Sequence, residues 1–571
     1  MAKEQSDQTR LENFSLQELQ EHGISHFAEI PYRIEVARNL AKHTGTQRLI
    51  MYSDVMHAVP EPQRPLLFGL PGYERHPLAT LIHSAGFPEG GIAFVSAPPN
   101  PVELTNLKAE KAKLERALSR EVKFRVIFPI DGHIIDLLQY PKDQYKKLCL
   151  EYASWLNNPQ NARVFDLQYH TLQIKEHLRE MTKNQPTFIL PFQTVAFHHQ
   201  VFQEEKSSGT VVLPSIPDLD KAYNSFLLQE AGLESAQAMI AVGSDGRHFT
   251  DSQSYNNYRK QMSGVSFNAK PDLKVSFATG LINAIDRFAL KNLGSFIKLD
   301  VNGVSGLGNL HPQSYPELYD RRIDRDVRIQ KMMQVVQEKV GGQLPIAAGV
   351  EEFAKTKKLQ GVSMDTTIGG FTVDGKFLPM SAFPFGTDAD GVYTHGWISS
   401  KAEDVSEESG DWAIMFNTAI EMTDVRSRFG YSTGITAEDM FTLVNNNRIV
   451  IHDFNDRQGG RTYVEAFIAL HDGGWVENEV KIPVHIPLSN VQMYEAYTRV
   501  CTQIMEFGSF PFSTSFGYFG LTDDGHRYMK FKILTPIDQY AQMGLPLPRN
   551  THHNTTVKTV TALVNENIQN V

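Results

Sequence analysis

The segment most informative about the fold reads Ser295-Phe-Ile-Lys-Leu-Asp-Val-Asn-Gly-Val-Ser-Gly-Leu-Gly-Asn309, a buried-strand pattern that runs straight into a glycine-rich loop. The glycines let backbone N–H groups approach an anion without obstruction by Cβ atoms. Lys298 adds a positive charge beside the loop, and Ser305 and Asn309 add side-chain donors. The pattern is typical of a loop that holds nucleotide phosphates, and the alternative is an ordinary glycine-rich hairpin with a surface lysine. It is not a Walker A loop, because the lysine precedes the glycines.

Length and composition limit the remaining possibilities. The 571 residues are 41% hydrophobic and 21% charged, which excludes collagen-like, disulfide-framework and fully disordered chains and suggests three or four domains. With 55 Lys and Arg against 65 Asp and Glu, the formal charge of −10 argues against a general nucleic-acid binder. The two cysteines, Cys149 and Cys501, are too isolated for a zinc site, and no apolar segment spans a membrane. We therefore expect a cytoplasmic protein without nucleic-acid or membrane partners.

The N-terminal 200 residues alternate strand and helix patterns. Strand candidates lie at 48–53, 91–96, 124–128, 162–165 and 187–191. This alternation predicts an α/β layer with a parallel, Rossmann-like sheet. No GxGxxG follows the first strand, so nothing marks the layer as a dinucleotide site.

The sequence pattern changes from about Pro214 onward. A helix is predicted from Lys221 to Ala231, ending at Gly232, after which strands and Gly/Asp turns dominate to about residue 400. The further predictions are helices at 412–424, 436–444 and 490–506, strands at 448–454 and 463–470 around a Gly459-Gly460 turn, and a hairpin near 523–525.

The order of these features resembles the ATP-grasp superfamily: a first lysine, Lys221, then Lys298 with its glycine loop, then a strand that ends in Glu351 and Glu352. The run K-L-D-V-N-G-V-S-G-L-G-N is similar to that of pheganomycin-type peptide ligases, and Tyr73-Glu-Arg75 looks like part of their pre-ATP-grasp domain. The resemblance covers about residues 70–470.

The resemblance implies a fold and a cofactor site. The fold is α/β with α+β lobes: a Rossmann-like pre-ATP-grasp domain (1–213), an ATP-grasp small lobe with the glycine loop (214–350) and a large lobe (351–470). Residues 471–571 either complete the large lobe or form a small extra domain. ATP is expected on the two lysines, the loop and the acidic strand, that is on Lys221, Lys298, Gly303, Ser305, Gly306, Gly308, Asn309, Glu351 and Glu352.

Mg²⁺ is the second cofactor that the resemblance implies, held by an acid on one strand and a Glu…Asn pair on the next. Such oxygen ligands suit Mg²⁺. The preferred place is 451–467, with Asp453 and Glu465 as ligands, although Phe467 stands where the asparagine is expected. The alternative for Asp453 is plain turn chemistry. A second place, 518–534, carries Lys530 and Lys532 where acids belong.

In such ligases a basic residue steadies the charge that develops during reaction. Arg426, Arg428 and Arg461 are the candidates here, and each has a surface salt bridge as its alternative. The resemblance thus predicts an ATP-dependent carboxylate–amine ligase that forms an amide bond through an acyl-phosphate. Its partners would be a small carboxylate and an amine, such as an amino acid or a peptide. The N-terminal domain is expected to help bind substrate or to form a homodimer. A nucleotide-binding relative without turnover, or a kinase of the same fold, are the alternatives.

Overall fold

A computed structural model describes most of the chain. The described residues are 15–26, 29–52, 76–130, 133–155, 167–216, 220–234, 238–262, 271–299, 308–340, 344–353, 358–359, 362–387, 393–399, 412–442, 449–456, 458, 462–512, 518–521, 527–542 and 549–571. Within these residues, no helix has the length and apolar character needed to cross a membrane.

The N-terminal part is built on a mainly parallel sheet in the order β4-β3-β2-β1-β5-β6, in which only β4 runs antiparallel. This confirms the predicted Rossmann-like layer, whereas the strand predicted at 162–165 lies outside the described residues. The strands are β1 Arg48–Tyr52, β2 Gly91–Phe94, β3 Phe124–Ile130, β4 His133–Asp136, β5 Thr187–Leu190 and β6 Val211–Val212. The helices are α1 Leu16–His26, α2 Ile30–Thr44, α3 His76–Ser84, α4 Pro101–Leu118, α5 Lys142–Trp155, α6 Leu167–Thr182, α7 Ala196–Val201 and α8 Gln203–Ser207.

A second, antiparallel sheet follows in the order β10-β9-β11-β7-β8. Its strands are β7 Met239–Gly243, β8 His248–Phe249, β9 Gly294–Leu299, β10 Asn309–Leu310 and β11 Ala347–Phe353. The helices of this part are α9 Lys221–Glu230, α10 Ser252–Met262, α11 Pro271–Leu290, α12 Pro316–Tyr319 and α13 Arg325–Val340. The helix predicted from Lys221 is confirmed, and its N-cap Asp220 accepts a hydrogen bond from the Tyr223 amide.

The expectation that strands dominate from Gly232 to about residue 400 omitted two long helices, α11 and α13. Both cover the second sheet, with apolar side chains three and four residues apart in the core, such as Phe277, Leu281, Ile285 and Phe288 of α11.

The third sheet has ten strands, with the order β17-β16-β13-β14-β15-β18-β21-β19 and with β12 and β20 paired to β13 and β21. The strands are β12 Lys358–Leu359, β13 Val362–Val373, β14 Lys376–Thr387, β15 Tyr393–Ser399, β16 Gly434–Thr442, β17 Ile449–Asn455, β18 Gly474–Val484, β19 Phe510–Pro511, β20 Tyr518–Leu521 and β21 Arg527–Pro536. The helices are α14 Trp412–Ser427, α15 Thr462–Leu470, α16 Asn490–Glu506, α17 Ile537–Gln542 and α18 Arg549–Gln569. Strands β18 to β21, which lie beyond residue 471, thus belong to the same sheet as β13 to β17. Strand β11 belongs to the second sheet, although it continues past residue 350, where the large lobe was expected to begin.

Two secondary-structure predictions in this region are wrong. The segment predicted as a helix at 436–444 is strand β16, and the segment predicted as a strand at 463–470 is helix α15. Eight of the nine residues of α15 are buried, so its sequence shows no polar face. A short apolar run without a polar face does not distinguish a helix from a strand.

The N-terminal layer is joined to the third sheet by buried hydrogen bonds. On α2, the Tyr32 hydroxyl donates to the carbonyl of Pro379, and the Arg33 guanidinium donates to that of Met380, each at 2.7 Å. The Gln458 side-chain amide donates to the carbonyls of Tyr52 and Leu190, at the carboxyl ends of β1 and β5. Residues that follow β17 are therefore fixed against the parallel sheet.

Gly90, which directly precedes β2, gives a test of the packing within the parallel sheet. Its φ is +73°, and an added Cβ would lie 1.8 Å from the Lys123 carbonyl oxygen, whereas Gly45 has φ +66° with nothing within 4 Å. Gly45→Ala should lose about 1 kcal/mol from left-handed strain alone. Gly90→Ala should lose at least about 2 kcal/mol more, because the backbone must move. Thermal unfolding of the two variants measures the difference, and equal losses would contradict the close approach.

Candidate functional site

Lys298 lies on the inner part of the second sheet, where a neighbouring strand supplies its counter-ion. Its ammonium is 2.8 Å from a carboxylate oxygen of Glu351, and the two side chains are only 7% and 4% exposed. The register pairs Lys298 with Gly349 and Phe296 with Glu351, which places the charged pair diagonally on one face. The Phe296 ring, 5.1 Å from the ammonium, completes the surroundings.

A second group of polar side chains lies on the third sheet. Asp439 of β16 faces Thr367 of β13 on one side and Asp453 of β17 on the other. The Thr367 hydroxyl donates to Asp439 at 2.6 Å, and the Asn455 amide donates to Asp439 at 3.1 Å and to Asp453 at 3.4 Å. Two carboxylates and one carboxamide thus form a small cluster on one face of three adjacent strands.

A β-bulge creates this arrangement. Met440 pairs with Ile451, but Asp439 pairs with Asp453, so β17 has one extra residue at position 452. Because successive side chains of a strand point to opposite faces, a regular register would set residue 452 against Asp439. The bulge sends Asp453 and Asn455 to the face of Asp439 while Ile451 remains in the core.

The two groups interact across the space between the sheets. Burial alone would lower the pKa of Lys298, but the carboxylates of Glu351, Asp453 and Asp439 outweigh burial and raise this pKa, so the ammonium remains charged. Burial, and next the Asp439 carboxylate, raise the pKa of Asp365 to about 7, although Lys298 opposes them. One cation is therefore under the electrostatic influence of carboxylates on both sheets, and we treat these groups as one candidate site.

The cluster on the third sheet fits a hard cation. Asp439 and Asp453 offer carboxylate oxygens, which Mg²⁺ prefers, and a turn of the Asn455 side chain would exchange its donated N–H for an amide oxygen. Within the part of the chain that the structure describes, no group of three or more His, Cys, Asp or Glu side chains is placed to hold a metal. The Asn455 amide is therefore needed to complete the donor set.

Only some of the predicted nucleotide-binding residues lie among those that the structure describes. Gly308 and Asn309 are described, and Asn309 begins β10, where it pairs with Lys298. Gly303, Ser305 and Gly306 lie outside the described residues, as does the side chain of Lys221 at the start of α9. Glu351 is the counter-ion of Lys298, and Glu352 follows it on the next position of β11.

Of the three predicted arginines, the two that the structure describes, Arg426 and Arg428, are not shown in contact with the site. Arg426 is completely buried, with Asn224, Thr436 and Asp456 as hydrogen-bond partners. We correct its assignment from catalytic cation to structural cation, because a guanidinium without exposed surface cannot reach a substrate. Arg428 is exposed in the turn after α14, and Arg461 lies outside the described residues.

The predicted metal ligand Glu465 is also corrected. It lies on helix α15 rather than on a strand beside Asp453, and it accepts a hydrogen bond from the Ser381 hydroxyl. Its charge favours the protonated form of Arg33, whose pKa burial lowers to about 10. Glu465 therefore belongs to the interface between α2 and the third sheet. Phe467, on the same helix, is a buried core residue.

Sequence reasoning missed Asp439 and Asn455. An acid and an acid…Asn pair of the kind that the resemblance implies are present on β16 and β17, one strand earlier than expected, and they are candidates for that role. The signal was present in the run Asp453-Phe-Asn455, but 436–444 read as a helix and left β17 without its partner strand.

A cavity of about 210 Å³ lies near the end of β17, although neither Lys298 nor the candidate metal ligands line it. It lies between the carboxyl end of β5 and the third sheet, and Asp456, the residue after Asn455, forms part of its wall. Further lining comes from 190–196, 214–216, Tyr431 and 434–435. Ligands of open α/β sheets bind at the carboxyl ends of strands, so this is a candidate position for a small substrate.

Comparisons with known proteins give structural likenesses only. No protein-family model and no curated protein matches the sequence. Among solved structures, the chain is similar to N5-carboxyaminoimidazole synthase from Aspergillus clavatus with ADP and 5-aminoimidazole ribonucleotide (10% identity, 83% of this chain, 98% of that chain, TM-score 0.39). It is also similar to N5-carboxyaminoimidazole synthetase from Staphylococcus aureus with ADP (9%, 87%, 95%, 0.36) and to the biotin carboxylase–β-γ-ATP complex from Campylobacter jejuni (8%, 88%, 91%, 0.38). Likenesses at this level carry no conclusion about what this chain binds.

The Lys298–Glu351 pair is testable by a double-mutant cycle on stability. Lys298→Met should destabilise by about 3 kcal/mol, because it leaves buried carboxylates without their cation. Adding Glu351→Gln should recover part of the loss, with a coupling energy of about 1–3 kcal/mol.

Lys147 and Glu151 on α5, 3.5 Å apart and mostly exposed, form the control pair. Their coupling in the corresponding cycle, Lys147→Met with Glu151→Gln, should stay below about 0.5 kcal/mol. Equal coupling energies in the two cycles, measured by denaturant unfolding, would refute the buried ion pair.

Proposed function

We propose that the protein is an ATP-dependent carboxylate–amine ligase of the ATP-grasp type. One observation carries the proposal: a buried, charged lysine at the start of a glycine-rich loop faces two aspartates and an asparagine on a neighbouring sheet. Such a site offers a cation to phosphate oxygens and oxygen ligands to a metal ion that accompanies them. The resemblance of the glycine-loop sequence to peptide ligases supports the same assignment.

The nucleotide is assigned to the space between the second and third sheets. Lys298 would contact its phosphates, with Gly308, Asn309 and the preceding loop supplying N–H donors. β11 would offer backbone groups to the base, since it follows β9 directly in the sheet. Lys221 would supply the second phosphate-binding charge.

Asp439, Asp453 and Asn455 would hold Mg²⁺. When bound, the ion neutralises charge on the phosphates and acts as a Lewis acid. The assignment replaces Glu465 by Asn455 and adds Asp439, and both changes come from the strand pairing described above.

The substrate carboxylate would lie near Asp456, in the cavity beside the carboxyl end of β5. Its oxygen attacks the γ-phosphorus of ATP, the bond to the bridging oxygen breaks, and ADP leaves. An amine then attacks the acyl carbon of the mixed anhydride and expels phosphate, which yields the amide. Exclusion of water protects the anhydride from hydrolysis. An amino acid or peptide as substrate, and a homodimer, remain parts of this proposal.

We favour this function over a nucleotide-binding relative without turnover. That alternative rested on Phe467 in place of an asparagine and on Lys530 and Lys532 in place of acids. In our assignment Asn455 would take the role expected of the asparagine. Lys530 and Lys532 pair with Glu479 at 2.5 and 3.2 Å and do not stand in a metal site.

Phosphate release in the presence of ATP, Mg²⁺ and mixed amino acids tests the proposal. Asp439→Asn and Asp453→Asn should each reduce the rate by about 100-fold or more, because several kcal/mol of charge stabilisation are lost. Asp424→Asn, an exposed carboxylate on α14, is the matched control and should leave the rate unchanged. Mass spectrometry of the products should show an amide. Folded protein with no phosphate release for any carboxylate, or no effect of the two variants, would overturn the assignment.

A further inference from the structure

The amino edge of the parallel sheet contains a hollow that the proposed function does not use. Its volume is about 650 Å³, within the range of about 300–1,000 Å³ that small-molecule sites occupy. The starts of β1, β2 and β3 form its floor, and residues of α4 form one wall. The nucleotide and substrate sites proposed above lie elsewhere, the latter at the carboxyl edge of the same sheet. Strand β1 has five residues, so its length alone places the amino and carboxyl edges about 16 Å apart.

The hollow collects positive charge in a chain whose formal charge is −10. Its charged lining consists of Arg48, Lys108, Lys111, Lys123, Arg125 and Lys183 against Glu89, Glu115, Glu121 and Asp136. Cations therefore outnumber carboxylates, although both signs are present.

Three of the four carboxylates are already bound within the hollow. Glu89 is shared by Lys123 at 3.1 Å and Arg48 at 3.7 Å. Asp136 accepts a hydrogen bond from Arg125 at 3.0 Å.

The third bound carboxylate, Glu115, lies against the Lys111 ammonium and also accepts a hydrogen bond from the Val122 amide. Among the described residues, the ammonium groups of Lys108 and Lys183 make no hydrogen bond or ion pair within the protein, and the one remaining carboxylate of the lining is the exposed Glu121. The uncompensated charge of the hollow is thus positive.

Arg48 provides a second, independent observation. Its side chain is 9% exposed, and its guanidinium donates to the Met181 carbonyl at 2.8 Å and to the Gln185 side chain at 3.0 Å. The Nε–H of this guanidinium is buried without a hydrogen-bond acceptor. A buried donor without a partner destabilises the protein, so an acceptor that enters the hollow lined by Arg48 and reaches this N–H would strengthen its own binding.

The like charge of Arg125 is close enough to Arg48 to matter. Burial lowers the pKa of Arg48, the Glu89 carboxylate opposes this effect, and Arg125 lowers the pKa further. Two guanidiniums in one hollow favour a ligand with more than one anionic group, because guanidinium forks bind phosphate and carboxylate oxygens in pairs.

We propose that this hollow, bounded by Arg48, Lys108, Arg125 and Lys183, is a second binding site for a small polyanion. The ligand class is a compact molecule with two or more phosphate or carboxylate groups. The site is independent of the proposed ligase activity, because it needs neither Mg²⁺ nor the groups around Lys298.

Isothermal titration of the full chain in EDTA tests this site, with pyrophosphate, ADP and citrate as probes and acetate at equal ionic strength as the monovalent comparison. The wild type should bind at least one of the three polyanions and not acetate. Pyrophosphate or ADP in preference to citrate would identify phosphate groups as the recognised chemistry, and the reverse preference would identify carboxylates. Absence of binding by all three probes would overturn the proposal.

Paired variants locate the binding. Lys108→Ser with Lys183→Ser should weaken the affinity at least about tenfold, and these exposed or half-buried positions should not disturb the fold. Lys142→Ser with Lys146→Ser, two exposed lysines on α5, removes the same charge outside the hollow and should leave the affinity unchanged. Equal affinities in the wild type and the first pair would show that the probe binds elsewhere, for example beside Lys298, and an equal loss in both pairs would show non-specific attraction. Either result would overturn the proposal.

Discussion

The charge of Lys298 is the constraint around which the two antiparallel sheets are arranged. An isolated ammonium at this depth would lose its proton, so carboxylates from both sheets must be present to keep it charged. The same carboxylates outnumber the lysine, which makes the space between the sheets repel an anion. In the proposed function, a triphosphate would therefore enter together with a divalent cation that offsets Asp439 and Asp453. That proposal couples nucleotide binding to metal binding before any substrate is considered.

Strand pairing decides which of these side chains meet. The bulge in β17 displaces the strand register by one residue. Because side chains alternate between the two faces of a strand, this displacement moves the following side chains to the other face relative to β16. Asp453 then lies against Asp439, and Asn455 bridges both. The same segment continues to Asp456, which holds the buried Arg426, and to Gln458, which binds the parallel sheet. Asp453, Asn455, Asp456 and Gln458 thus connect the metal-binding candidates to the core of one lobe and to the N-terminal layer.

The sequence predicted the parallel layer and the strand before the glycine loop, because each depends on local pattern, whereas the ion pair of Lys298 with Glu351 was not predicted. The site on the third sheet depended on which strand precedes β17, and local pattern failed there. In β16, the buried strand Gly434–Thr442 alternates too weakly to exclude a helix, and in α15 apolar residues on every side hide the helical period. One exchanged pair of assignments moved the expected asparagine from 455 to 467. The burial of Arg426 was equally inaccessible, since its partners Asn224 and Asp456 are distant in sequence.

The N-terminal layer differs from an ordinary parallel α/β domain in how its two edges are used. The carboxyl edge is where such sheets hold ligands. Here the Gln458 amide donates hydrogen bonds to carbonyls at the ends of β1 and β5 and so holds the chain after β17 of the third sheet against this edge. A small cavity remains beside this contact, bounded on one side by Asp456. The carboxyl edge therefore combines docking with room for one compact substrate. The amino edge carries no such docking segment among the described residues, and its charged side chains line an open hollow. Because the described residues of the neighbouring sheet dock at the carboxyl edge, the amino edge stays accessible. The two ends of the same strands therefore lie in different surroundings, a small cavity beside a docking contact at one end and a charged hollow at the other.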